Sequence, residues 1–183
     1  MEIEIYSRST GTETHYERKL VGSVRCLYET GIDEAPFETG LAHVLEHMMF
    51  KGTEKLGPGD FSRLVSRYGG SDNAFTSYDY TAYFQQYEVS RLPLALELEA
   101  ERLGHLEIDD AEFARELDVV MEERRMRTDD NPNALAWEKF QAVARPGTGY
   151  AHPIIGWRDQ LAQLQPEQAR SWYQRFYVPG NAT

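Results

Sequence analysis

A single cysteine, Cys26, stands in 183 residues, so no disulfide can close within the chain. It sits in an apolar-alternating stretch and reads as a small buried filler, which leaves the redox compartment open. Long apolar runs are also missing: nothing approaches the ~18 residues of a membrane span. The opening segment MEIEIYSRST has no charged stretch leading into an apolar one, so no signal peptide is visible. Positive charge is scarce, with 19 Lys and Arg against 30 Asp and Glu, a net charge of −11 and a pI near 4.9. Such a chain repels phosphate backbones, and a nucleic-acid partner is excluded unless a local basic patch exists. The densest cationic cluster, Arg124, Arg125 and Arg127, lies among acidic residues and reads as a solvated, salt-bridged helix face. Internal repeats and low-complexity linkers are absent as well.

What is present is ordinary for a soluble globular protein: 41% hydrophobic and 27% charged residues, enough for one unit with a sizeable core. Leu20 to Thr30 alternates as a strand, with Val24, Cys26 and Tyr28 on one face. A helix is expected from Gly40 to Lys51, with Thr39 as N-cap and Gly52 as stop. Asp60 should cap a short helix ending at Gly69-Gly70. Asn73 to Tyr87, rich in Thr, Tyr and Phe, reads as one long strand. Helices follow from Ser90, with Pro93 in the first turn, and from Asp109-Asp110, with Phe113, Leu117 and Val120 at helical spacing. Asn131-Pro132-Asn133 stops that helix and starts another through Trp137 and Phe140. A loop over Pro146 to Gly156 leads to a last helix, Pro166 to Phe176. Strands and helices do not alternate strictly, which predicts an α+β fold with a mixed or antiparallel sheet rather than a doubly wound one.

The chemistry-bearing segment is Gly40-Leu-Ala-His-Val-Leu-Glu-His-Met-Met-Phe50. Leu41, Val44, Leu45 and Met48 fall at i, i+3, i+4 and i+7 and make one buried stripe. His43 and His47, four apart, stack on one face within reach of a single ion, and Glu46 lies beside them. Two neutral imidazoles suit Zn²⁺, which needs one more protein ligand and an open position for water. A carboxylate nearby can take that water's proton. The third ligand should be an acid or histidine on a neighbouring element. Glu116, Val120 and Glu123 share one face of the Asp109 helix; this face either turns to the site or is a solvent-exposed acidic surface. His105 and His152 are further candidates, each alone in its segment and more in keeping with a structural role.

Residues Gly40 to Thr53, GLAHVLEHMMFKGT, resemble the active-site helix of the pitrilysin/insulinase-type zinc peptidases, which include the mitochondrial processing peptidase. The inverted H-x-x-E-H order is that family's hallmark. Its third ligand, a Glu about seventy-five residues beyond the second His in a V-x-x-E setting, falls on Glu123, 76 residues after His47 and three after Val120. A second family Glu, seven residues earlier and needed for activity, falls on Glu116; Glu122 aligns with no ligand. Gly69-Gly70-Ser71-Asp72-Asn73-Ala74-Phe75-Thr76 and Asp79-Tyr80-Thr81-Ala82-Tyr83 are similar to the family strand that pairs with substrate backbone, which implies substrate contacts for Asn73 and Ala74. Tyr150 to Trp157 and Trp172-Tyr173 to Pro179 match structural landmarks, with Gly180 where an Asn is common.

The resemblance covers roughly Ser23 to Thr183 and is closest to bacterial members, for which cytoplasm and periplasm are both compatible. It implies a processing-peptidase-like two-layer sandwich, a mostly antiparallel sheet with helices packed on it. It implies a zinc-dependent endopeptidase cutting peptides or unfolded segments, with one Zn²⁺ held by His43, His47 and Glu123 and with Glu46 as general base. Residues 1–183 would form one N-terminal catalytic half-domain, cut short before its last strand and before a second, homologous half. That half would lie in the same chain or in a partner subunit, a dimer being one arrangement, and without it peptide hydrolysis should be weak or absent. The alternative is a non-catalytic, peptide-binding or processing-complex subunit of the same fold.

Overall fold

Thr81, Tyr83, Gln85 and Tyr87 are buried while Gln86 and Glu88 between and after them are exposed. This period of two is the signature of a strand with one face against a core. The computed structural model describes residues 4–7, 19–27 and 31–182, with side chains from Gly31 onward. Among the described residues the sheet has four strands: β1 (Glu4–Ser7), β2 (Lys19–Leu27), β3 (Ser71–Thr76) and β4 (Thr81–Glu88). Their order is β1-β2-β4-β3 and every pairing is antiparallel. Among the described residues β3 is therefore an edge strand, with one side bonded to β4 and the other open.

Seven α-helices among the described residues complete the fold: α1 (Leu41–Met48), α2 (Asp60–Arg67), α3 (Leu92–His105), α4 (Asp110–Arg124), α5 (Pro132–Ala144), α6 (Arg158–Leu161) and α7 (Pro166–Phe176). The expected α+β sandwich, an antiparallel sheet carrying packed helices, is what forms. Leu41, Val44, Leu45 and Met48 of α1 meet Tyr83 of the sheet, Phe113 and Val120 of α4, and Ala169 and Trp172 of α7 in the larger core. Phe61 and Val65 of α2, Tyr87 of β4, and Ala95 and Leu98 of α3 form the smaller one.

Asp109 caps α4 by accepting hydrogen bonds from the Ala111 and Glu112 amides, and Asn131 caps α5 through Asn133 and Ala134, as short polar side chains at helix starts do. Other expectations need correction. Thr39 does not cap α1: its hydroxyl accepts from the Trp157 amide (2.9 Å) and donates to Gln160 (2.7 Å). The buried Glu34 carboxyl takes over, accepting from the Gly40 and Ala42 amides, both at 2.9 Å. Asp60 is the first helical residue, not the cap, and turns back to accept from the Gly57 amide. Asn73 to Tyr87 is not one strand but a hairpin, β3 and β4, because the polar Ser77-Tyr78-Asp79 run makes a tight reversal closed by the Ser77 amide on the Tyr80 carbonyl at 2.8 Å. The helix assigned from Ser90 begins at Leu92, after a 3₁₀ turn that Glu88 caps.

Arg124 is buried rather than on a solvated face. It forks onto Glu138 of α5 at 2.8 and 2.9 Å and donates to the Gly156 carbonyl at 2.7 Å, while Arg125 and Arg127 are exposed as expected. β1 and the short α6 were not assigned from the sequence. Val24 and Cys26 lie on β2; the face proposed for them with Tyr28, including the burial of Cys26, rests on side chains before Gly31, outside those described, and Tyr28 itself lies outside the described residues.

Two glycines join the α1 entrance to a distant loop. Gly40 (φ 91°) and Gly156 (φ 84°) hold left-handed backbone, and a Cβ at Gly156 would come within 2.2 Å of the Thr39 carbonyl oxygen. Only glycine allows these backbones to cross so closely. The crossing brings Ile154 and Ile155 up to the start of α1.

Candidate metal centre

Burial of Leu41, Val44, Leu45 and Met48, each at 1% exposure or less, contributes about 1.5–3 kcal/mol per side chain. It also locks the rotation of α1. With that face inward, His43, Glu46 and His47 are carried to a half-buried flank, and the two imidazoles meet edge to face with centroids 4.9 Å apart.

α4 supplies the third group. Val120 is fully buried against α1, and Glu123, one helical step on, sends Oε2 to 3.4 Å from His47 Nε2 and 3.8 Å from His43 Nε2. One ligand atom from each of His43, His47 and Glu123 lies within 4.8 Å of the others, a cluster that can hold a metal ion. The remaining oxygen of Glu123 is bonded by Arg127, which sits on a π-helical turn, Arg125–Asp129, that widens the end of α4. Glu116, seven residues earlier on the same face, places Oε2 at 3.3 Å from His47 Nδ1 and Oε1 at 2.6 Å from Lys51 Nζ.

The donor set fits a zinc ion. Burial, reinforced by the neighbouring His47 and Arg127, pushes the His43 imidazole down to about 3, so the ring is neutral, as a ligand must be. His43 Nδ1 is buried without a partner, and Nε2 is the ring nitrogen that faces Glu123 and the cluster. His47 has its Nδ1 against a carboxylate, which favours the tautomer with Nε2 free for a metal.

Glu46 lies beside the cluster. Burial pushes its carboxyl above the usual range, while a 2.5 Å hydrogen bond from Thr76 Oγ1 opposes the shift. These groups line a cleft of about 530 Å³ whose far wall is Asn73 to Thr76 of the β3 edge, with Arg127, Thr128, Ile154 and Ile155 closing the sides. Asn73 and Ala74 thus face the same space as His43 and Glu46. Asn73 Oδ1 accepts from the Ala74 amide at 2.9 Å.

His105 stands apart, 3.5 Å from Glu101, and His152 lies 3.9 Å from Glu34; neither joins the cluster. Glu122 is exposed and paired with Arg125. Thr76 and Lys51 join the site from positions that no motif marks. Thr76 is two residues from Ala74 and so shares its strand face, and Lys51 is four residues from His47; both signals were there to use.

Among the described residues no helix is long and apolar enough to cross a membrane. A family model described as insulinase, peptidase family M16, matches residues 29–157. Zinc protease PqqE of Helicobacter pylori is 38% identical over 160 residues, spanning 87% of this chain and 36% of PqqE. A crystal structure of a protease from Helicobacter pylori superposes with a TM-score of 0.87 at 31% identity, covering 99% of this chain and 45% of that one. The periplasmic protease PqqL of Escherichia coli gives 0.78 at 26% identity, covering 90% of this chain and 19% of PqqL. The chain spans about a third of the length of the curated relatives it matches.

Proposed function

The chain belongs to the insulinase family of peptidases, a metallopeptidase family whose bacterial relatives are named zinc proteases, and from that premise we propose that it is the metal-binding, catalytic half of a zinc-dependent endopeptidase. The convergence of His43, His47 and Glu123 beside Glu46, in a cleft walled by an open strand edge, carries this reading.

When bound, a zinc ion polarises water and a peptide carbonyl and lowers the barrier to attack. His43 and His47 would hold it through Nε2 and Glu123 through Oε2. Glu46, with Oε2 tied to Thr76, keeps Oε1 to receive the proton of the attacking water and to return it to the leaving amine. Its burial raises its proton affinity, which suits a group that must both accept and donate. Glu116 orients His47. The substrate would be an extended peptide or unfolded segment adding as a strand to β3, with Asn73 and Ala74 nearest the bond to be cut. Strand addition of this kind asks the Asn73 side chain to leave the Ala74 amide that it now occupies.

Residues 1–183 act in this reading as one catalytic half, with a homologous second half, from the same chain or a partner subunit, closing the cleft. The relatives' greater length supports it. The test is zinc content and hydrolysis of a quenched peptide by the full-length protein. One zinc per site with turnover, and loss of turnover but not of zinc in Glu46→Gln, is the expected result. Retained hydrolysis in Glu46→Gln would remove Glu46 from the chemistry, and a zinc-free, inactive protein that still binds peptides would make it a binding subunit instead.

A further inference from the structure

Lys51 lies four residues beyond His47, spacing that brings both side chains to the same side of a helix. Its amide donates to the Met48 carbonyl at 2.9 Å, so the winding of α1 runs on as a tightened turn. From there its ammonium reaches Glu116 Oε1 at 2.6 Å, while the other oxygen of that carboxylate lies 3.3 Å from His47 Nδ1. The Glu116 side chain is 8% exposed, that of Lys51 30%.

We propose that Lys51 is a positioning residue for the metal centre: its ammonium fixes Glu116 so that the second carboxylate oxygen holds His47 Nδ1–H and aims Nε2 at the ion. This rests on the zinc-peptidase reading above. The physical reason is the poverty of alternatives at Glu116. A carboxylate this buried needs its charge compensated, and its bond to His47 is the longer of the two. Lys51 therefore sets the carboxylate's rotation, and the imidazole follows. Neighbours of this kind around a ligating histidine govern metal affinity by roughly 10–100-fold. Lys51 itself touches neither substrate nor ion. Its side chain is 30% exposed, and Lys51→Met keeps the covered part of the stem, so that substitution tests the ammonium rather than the packing.

The experiment measures affinity for Zn²⁺ alone, by competition with a chromophoric chelator, in the unaltered chain and in Lys51→Met, Lys51→Arg, Glu116→Gln and the Lys51→Met/Glu116→Gln double variant. Absorption of the Co²⁺-loaded forms reports ligand geometry. Lys51→Met, which keeps the stem, should weaken zinc binding about tenfold and alter the Co²⁺ spectrum. It should also lower the thermal midpoint of the metal-free chain, since it leaves the Glu116 carboxylate without its cation. Lys51→Arg, which keeps the charge, should restore most of both the affinity and the midpoint. The double variant should bind no more weakly than Glu116→Gln, because both changes break one relay. Affinity within about twofold of the unaltered chain in Lys51→Met, or losses that simply add in the double variant, overturn the assignment while leaving the zinc site standing. An unaltered chain that takes up no stoichiometric zinc overturns both. If Lys51→Met does not fold, Lys51→Arg and Glu116→Gln still decide: full affinity in Glu116→Gln removes the relay.

Discussion

Thr76 Oγ1 donates to Glu46 Oε2 at 2.5 Å and itself accepts from Thr81 Oγ1 at 3.3 Å. Thr81 is fully buried and is the register partner of Thr76 across the hairpin. With its lone pair engaged by Thr81, the Thr76 hydroxyl has its proton directed at the carboxylate. The strand proposed to receive substrate therefore also holds the proposed base.

Thr76→Val keeps the side-chain shape and removes that donor. A hydrogen bond to a charged group contributes about 1.5–3 kcal/mol, so kcat of the full-length enzyme should fall roughly ten- to hundredfold, with zinc content unchanged. Thr76→Ser should restore most of it. Steady-state kinetics on both variants is the check. A loss confined to KM, or equal losses in Val and Ser, would show that Thr76 shapes the strand and does not orient Glu46.

Arg124 illustrates a different kind of dependence. It is 3% exposed and joins α4 to α5 through Glu138 and to the Gly156 loop through a carbonyl. Arg124→Met preserves much of the volume but leaves the Glu138 carboxylate, 8% exposed, without its partner. Breaking a buried pair from one side costs roughly 3–5 kcal/mol, read as a lower denaturant midpoint in equilibrium unfolding. Arg124→Met/Glu138→Met should regain much of that loss, since an apolar pair removes the stranded charge. A single variant within about 1 kcal/mol of the unaltered chain would mean that the pair contributes little.

Legibility in the sequence followed the physics of each signal. The apolar stripe of α1 and the i, i+4 histidines are local, and so are the Asp109 and Asn131 caps; all were readable because helix geometry converts spacing directly into facing. The pairing of α1 with α4 is non-local, and only the family resemblance singled out Glu123 from Glu116, His105 and His152. The β3–β4 hairpin looks like one strand in the sequence because Ser77, Tyr78 and Asp79 include neither Gly nor Pro, the strongest punctuation of a turn. The burial of Arg124 is not legible because a basic residue beside acidic ones looks solvated until a buried partner, Glu138, arrives from another helix. Glu34 as the cap of α1 was hidden for the same reason. It lies six residues from the helix entrance, beyond the range of any cap pattern.

That buried cap gives a pH dependence with a definite sign. Burial pushes the Glu34 carboxyl up to about 8 against the hydrogen bonds from the α1 amides, which pull it the other way. The nearby His152, 3.9 Å away, is itself shifted down by burial and brings no settled positive charge. In the unfolded chain the carboxyl loses its proton near 4.5. Between about 4.5 and 8 the folded chain therefore holds a proton that the unfolded chain has released, and stability from this group falls as pH rises, by at most about 1.4 kcal/mol per pH unit. Glu34→Gln keeps an acceptor for one α1 amide and cannot ionise. Urea unfolding of the metal-free chain across that window should show the unaltered chain losing its advantage over Glu34→Gln steadily as pH increases. A difference that stays constant, or grows with pH, would mean that the carboxylate is ionised in the fold and that the helix amides outweigh its desolvation.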